Sequence, residues 1–209
     1  MGKAVKKKGA SIEKTLDEIE RFFERAAQVD GIETSASDKL RPASDAAIDA
    51  LAKKFQLTVP DDVRHFWRRG LAYKHLSFDQ GDASAFAGFD WYNLKYLARD
   101  IPENRKLAEL YEAGTHERRL LEKGFPLSYS QPQIAWDPRG GIVHFSTRND
   151  FDPPFIDSFA AFLEHWLEAG CFSSHEIGIW LPKVKHLVPG RIPPAKNVWI
   201  KYYKKAFNL

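Results

Sequence analysis

Cysteine is nearly absent from this chain, and Cys171 is the only one. A single thiol excludes a disulfide within the chain and a zinc cage built from cysteines, and it fits a reducing compartment. Free cysteine packs as a small hydrophobe, so Cys171 is expected in a core rather than as a nucleophile. Long apolar runs are missing as well. No stretch approaches the roughly 20 apolar residues of a membrane helix, so no membrane partner is expected. Residues 1–10 carry Lys3, Lys6, Lys7 and Lys8 with no apolar run or cleavage site after them. They do not read as a secretory signal, and the expected location is the cytoplasm.

The spacings that carry catalysis are lacking too. There is no Gly-x-Ser-x-Gly elbow, and Ser158 follows Asp157 at a helix start, where capping accounts for it. The seven histidines are scattered, and none forms His-Glu-x-x-His. His144, between Val143 and Phe145, is the least ordinary, because strand alternation turns it away from both neighbours. Gly140-Gly141 lacks the Lys-Ser/Thr of a phosphate loop and reads as a turn. The expectation is a protein that is not an enzyme, with no cofactor and no metal.

What is present suits one domain with a helical preface: 209 residues with 13% aromatics, including six tryptophans that must fill a core or an interface. Residues 1–10 read as a flexible basic tail, and residues 11–43 as a helix followed by a linker. In the helix Ile12, Leu16, Ile19, Phe22, Phe23 and Ala26 recur at helical spacing. A second helix follows Ser44, with Ile48, Leu51 and Phe55 on one face. Residues 57–70 hold a short helix with its punctuation: Pro60, Asp61 and Asp62 at the start, Arg68 and Arg69 at the end, and Gly70 in the left-handed position beyond. Residues 73–101 suggest one or two short strands and a helical turn, and residues 103–123 two short helices divided at Gly114. Two apolar runs around Asp137-Pro-Arg-Gly-Gly141 predict a hairpin, after which Ser158 opens a helix that ends at Gly170. Residues 177–209, rich in β-branched and aromatic side chains, read as edge strands and extended segments. Trp136, Phe159, Phe162 and Trp166 are expected in the core.

The order of these pieces, Val59-Pro-Asp-Asp62 with its helix to Gly70, then Ile134-Ala-Trp-Asp-Pro-Arg-Gly-Gly-Ile-Val143, then Asp157-Ser-Phe-Ala-Ala-Phe-Leu-Glu-His-Trp-Leu167, resembles the SUKH superfamily of Smi/Knr-like domains. The match runs over residues 44–170 of a domain taken as 44–209. The resemblance implies an α+β fold, with helices packed on a curved, mainly antiparallel sheet. It also implies an immunity protein that binds and neutralises a cognate bacterial toxin, or a non-catalytic regulatory interaction module. The residues that contact a toxin vary within the family and are not carried over.

An acidic patch would steer a cationic toxin, and Asp137, Asp150, Asp152 and Asp157 are the candidates for it. Asp137 and Asp152 precede prolines and Asp157 precedes a helix, positions where aspartate is also expected for the turn itself. The alternative partner is single-stranded nucleic acid, through Trp199, Lys201, Tyr202 and Lys204 in the basic, aromatic C-terminal segment. A net charge of +3 makes nucleic acid the less favoured of the two.

Overall fold

A computed structural model describes residues 2–35, 40–129, 133–144, 154–173 and 176–206. In chain order the elements are α1 (Gly2–Ala26), β1 (Ile32–Ser35), α2 (Asp45–Phe55), α3 (Asp61–Arg69), β2 (His75–Gln80), β3 (Ala83–Ala87), α4 (Leu94–Ala108), α5 (His116–Lys123), β4 (Phe125–Pro126), β5 (Ile134–Asp137), β6 (Gly141–His144), α6 (Phe159–Glu168), α7 (Ile177–Val184) and α8 (Val198–Ala206), with a 3-10 turn at Pro194–Lys196. The fold is α+β, and the strands form two antiparallel three-stranded sheets, β1-β2-β3 and β4-β5-β6. No helix among the described residues is long and apolar enough to cross a membrane.

The chain divides into two compact units. The first comprises Met1–Lys39, Leu71–Phe89 and Ala160–Leu209; the second comprises Leu40–Gly70 and Asp90–Phe159.

In the first unit α1 buries Ile12, Leu16, Ile19, Phe22, Phe23 and Ala26, the face that its spacing predicts. Its helical backbone also takes in residues 2–10, where the sequence suggests a loose tail. Beyond Gly31 the expected linker is in part a strand. β1 pairs with β2 from Ile32↔Phe78 to Ser35↔His75, and three of its four side chains are exposed, which hides it from a search for apolar alternation. β2 and β3 join through the two-residue turn Gly81-Asp82, with Gly81 at φ +63. On α6, Phe162, Leu163, Trp166 and Leu167 are essentially without solvent exposure. Glu168, also buried, accepts hydrogen bonds from the Gly190 and Arg191 N–H groups (2.8 and 3.1 Å), and Arg191 reaches on to Glu18 at 2.7 Å. Gly170 stands at φ +70, where a Cβ would lie 2.7 Å from Val184.

The segment after residue 176 corrects the extended reading, because it forms α7 and α8. Trp199, Tyr202, Tyr203 and Ala206 repeat at three- and four-residue intervals, with Lys201, Lys204 and Lys205 between them. That is a helical stripe, and aromatic, β-branched composition conceals it. Trp180 on α7 donates its indole N–H to the Gly170 carbonyl at 2.7 Å, and Trp166 donates to Phe172 at 3.2 Å.

In the second unit the Ser44 hydroxyl accepts the Ala47 N–H at 3.2 Å and caps α2. α3 has the expected bounds and buries Val63, Phe66 and Trp67. Gly70 follows it with φ +71 but ψ −178, so the helix ends outside the left-handed α region, and a Cβ there would meet the Leu40 carbonyl oxygen at 2.4 Å. Phe66, Trp91 and Phe159 pack edge to face with centroids 4.9 to 5.8 Å apart. α4 is one helix through Pro102 where a helical turn and a separate short helix are predicted. Proline normally marks a helix boundary, and here the remaining helical bonds carry the segment across it. The hairpin β5–β6 forms where it is predicted, with Asp137 and Gly141 paired as its last strand residues rather than lying in the turn, and Ala135 and Val143 join Ala108, Leu120 and Leu121 in a local core. Trp136 is partly exposed, whereas Phe159, Phe162 and Trp166 are fully buried.

Candidate functional site

The four candidate acidic residues do not form one surface among the described residues. Asp137 has no solvent exposure. Its Oδ1 accepts the Arg139 N–H at 2.7 Å, its Oδ2 lies 2.9 Å from Arg139 Nη2, and His116 Nε2 is 3.4 Å away. This carboxylate closes the hairpin turn and fixes it to the start of α5, so a partner cannot reach it. Asp157 is exposed beside the Ile142↔Ile156 bridge. Asp150 and Asp152 lie outside the described residues.

The nucleic-acid alternative fares differently on its two halves. Lys201 and Lys204 are exposed on α8. Trp199 is fully buried, with ring centroids 5.3 Å from Phe162 and 5.4 Å from Tyr203, and Tyr202 is also buried. Bases stack on exposed ring faces, and these two rings serve the core instead.

Cys171 is buried at φ +53, and burial raises its thiol well above the ordinary range, so the reactive thiolate is suppressed. The backbone of His144 pairs with Ile134 in the hairpin. Among the described residues no group of three or more His, Cys, Asp or Glu side chains is arranged to hold a metal ion.

Two other histidines have defined structural roles as acceptors. His165 Nδ1 accepts the Val198 N–H at 3.1 Å, while Asn197 donates to the His165 carbonyl and accepts the Ile200 N–H, which together cap α8. His116 Nε2 takes a hydrogen bond from Arg139 Nη2 at 2.7 Å. Burial lowers the pKa of each below the ordinary 6.5, against the opposing pull of Glu164 on His165 and of Asp137 on His116. The unfolded chain therefore binds these protons first as pH falls. The stability contributed by the neutral rings is intact above about pH 6.5 and is lost on acidification through the lowered folded values. The urea midpoint should fall between pH 7.5 and 5.5, and His165→Asn, which keeps an acceptor without a titrating ring, should flatten the slope. An unchanged slope in that variant would remove His165 from the account.

The most distinctive exposed surface is the outer face of β1-β2-β3. Along β3, Ala85 and Ala87 are buried while Phe86 between them is 49% exposed, the inverse of the usual large-in, small-out pattern. Cross-strand register places Glu33, Ser77 and Phe86 in one row, with Asp79 and Ser84 in the next and Ser35 beside His75. A ring so placed offers a rigid apolar anchor, and the serines around it let a partner approach closely. Glu33 and Asp79, both exposed, give the face an acidic character without any of the four aspartates suggested by sequence. The one signal of it in the sequence is Ala-Ser-Ala-Phe-Ala at 83–87, whose large residue falls on the wrong parity for a core.

No protein-family model matches this chain, and no curated protein or solved structure does either.

Proposed function

We propose that this protein is an immunity protein of the SUKH type, with the curved sheet of that family, which acts in the cytoplasm by sequestering a cognate toxin in a stoichiometric complex. The ordered motifs over residues 44–170 support the family reading, and antiparallel strand pairing with flanking helices is compatible with it. The observation that carries the functional reading is the half-exposed Phe86 on β3, at the end of a cross-strand row with Ser77 and the exposed Glu33 on an acidic, serine-bearing sheet face. Such a surface neutralises by covering its target and needs no chemistry of its own. Complementary charge accelerates encounter with a basic partner, and one or two aromatic anchors hold the complex.

Co-expression with the product of a neighbouring reading frame that is toxic alone tests this proposal. Growth should be rescued, and the purified pair should run as a defined complex. Phe86→Ser should weaken that complex roughly 30- to 100-fold, the loss typical of an aromatic hot spot, while leaving the thermal midpoint near wild type. If no neighbouring product is toxic, or unrelated members of the family rescue equally well, the immunity reading fails and a regulatory interaction module replaces it.

A further inference from the structure

We propose that the groove between α1 and β1 binds an extended peptide segment bearing a basic side chain, which adds to the first sheet alongside β1. This surface is separate from the outer face around Phe86, and the inference holds whatever that face binds.

β1 is an edge strand of its sheet. Which of its peptide groups point outward follows from the register. The two-residue turn at Gly81-Asp82 makes Gln80↔Ala83 a hydrogen-bonded pair, so Gln80, Phe78 and Leu76 direct their main-chain groups toward β3. Asp79, Ser77 and His75 then direct theirs toward β1, where Ser77 meets Glu33 and His75 meets Ser35. Thr34, between those two, turns its N–H and C=O away from β2. The Ile32 N–H agrees with this parity, since it donates to the Val29 carbonyl at 3.0 Å instead of to Phe78.

Thr34 lines a cavity of about 460 Å³, within the roughly 300–1,000 Å³ of sites that hold small ligands. The floor is Phe23 stacked on Tyr73, their centroids 4.0 Å apart and the rings parallel within 6°. Tyr73 is itself fixed, because its hydroxyl donates to the Phe89 carbonyl at 2.7 Å and accepts the Phe89 N–H at 2.8 Å. Glu20 and Glu24, one helical turn apart on α1, line the cavity together with Lys74. Glu20 already accepts the Ala72 N–H at 3.0 Å. Glu24 is exposed and has no ion pair among the described residues.

An extended segment meets these groups in register. One of its residues exchanges two main-chain hydrogen bonds with Thr34, and adjacent side chains point alternately toward the Phe23–Tyr73 floor and away from it. Two carboxylates against one lysine select a cationic side chain near Glu24 over an anionic one.

Fluorescence anisotropy with the full chain tests the proposal, using a labelled octapeptide of alternating threonine and lysine and its threonine–glutamate counterpart. The lysine peptide should bind saturably and at least about tenfold tighter than the glutamate peptide, and Glu24→Lys and Thr34→Pro should each weaken it by about tenfold. Thr34→Pro deletes an N–H that faces outward from an edge strand, where proline is tolerated. If that variant nonetheless loses structure by circular dichroism, Glu24→Lys, on an exposed helix position, decides. Equal affinity for the two peptides overturns the proposal, and so does lysine-peptide binding unaffected in the folded variants. Self-association of the free chain that Glu24→Lys and Thr34→Pro both abolish would show a second copy in the groove and overturn it too.

Discussion

Phe162→Ala should lower the unfolding free energy by about 3 to 5 kcal/mol, the range for deleting a buried aromatic ring and leaving a cavity. The value follows from the surroundings of the ring. Phe162 has no solvent exposure and lies between Phe89, at 6.1 Å, and Trp199, at 5.3 Å, so two separate chain stretches lose a packing partner at once. Trp199 in turn contacts Phe172 and Tyr203, and rings this large cannot close over the space without leaving their own contacts. Urea unfolding at fixed pH measures the effect. A midpoint within the error of wild type would mean that α6 is not packed as described.

Asp137→Ala should cost about 3 kcal/mol, near the upper end for hydrogen bonds to a buried charged group. The substitution removes the acceptor of the Arg139 N–H and the counterion of its guanidinium, and leaves the turn of the hairpin without its closure. Arg139 keeps about a third of its side chain in solvent, so it recovers some hydration, which holds the cost below that of a fully stranded charge. Asp137→Asn retains an acceptor for the turn and should cost less, about 1 to 2 kcal/mol. The pair separates a structural carboxylate from a partner-binding one. If both variants keep wild-type stability and lose binding to a partner, Asp137 belongs to an interface after all.

Local rules carry much of this fold. Ser44, Pro60, the Arg68-Arg69 ending and the Asp-Pro-Arg-Gly-Gly turn each favour their local structure sterically or electrically, and α2, α3 and the β5–β6 hairpin follow from them. The amphipathic stripe of α1 was legible for the same reason. Where tertiary contacts decide, the chain was harder to interpret. The strand β1 exposes Glu33, Thr34 and Ser35 and among the described residues pairs with β2 alone, so nothing in its own composition announces a strand. In α8 the aromatic content suggests extended structure, while burial of Trp199 and Tyr203 among the rings of α6 and residue 172 selects a helix. The burial of Asp137, Trp199 and Tyr202 among the candidate contact residues has the same origin. Asp137 satisfies a turn that any aspartate before proline can satisfy, and charge alone does not say whether a carboxylate faces solvent or an arginine. Phe86 joins a surface only through its cross-strand neighbours, which local spacing does not encode.

The ion pair between Arg191 and Glu18 joins residues 173 positions apart, and this sets a schedule for synthesis. The aromatic residue Trp166, which lies 6.1 Å from Phe23 on the apolar face of α1, is made some 140 residues after it. At translation rates of about 5 to 20 residues per second, that face waits on the order of ten seconds for this partner. Closing so long a loop is entropically slow even after release, so the first unit should be the slower of the two to fold. For those seconds the face of Ile12, Leu16, Ile19, Phe22 and Phe23 has only earlier-made partners such as Tyr73, which stacks on Phe23, to cover it, and a part-covered apolar helix is the kind of segment that chaperones shield.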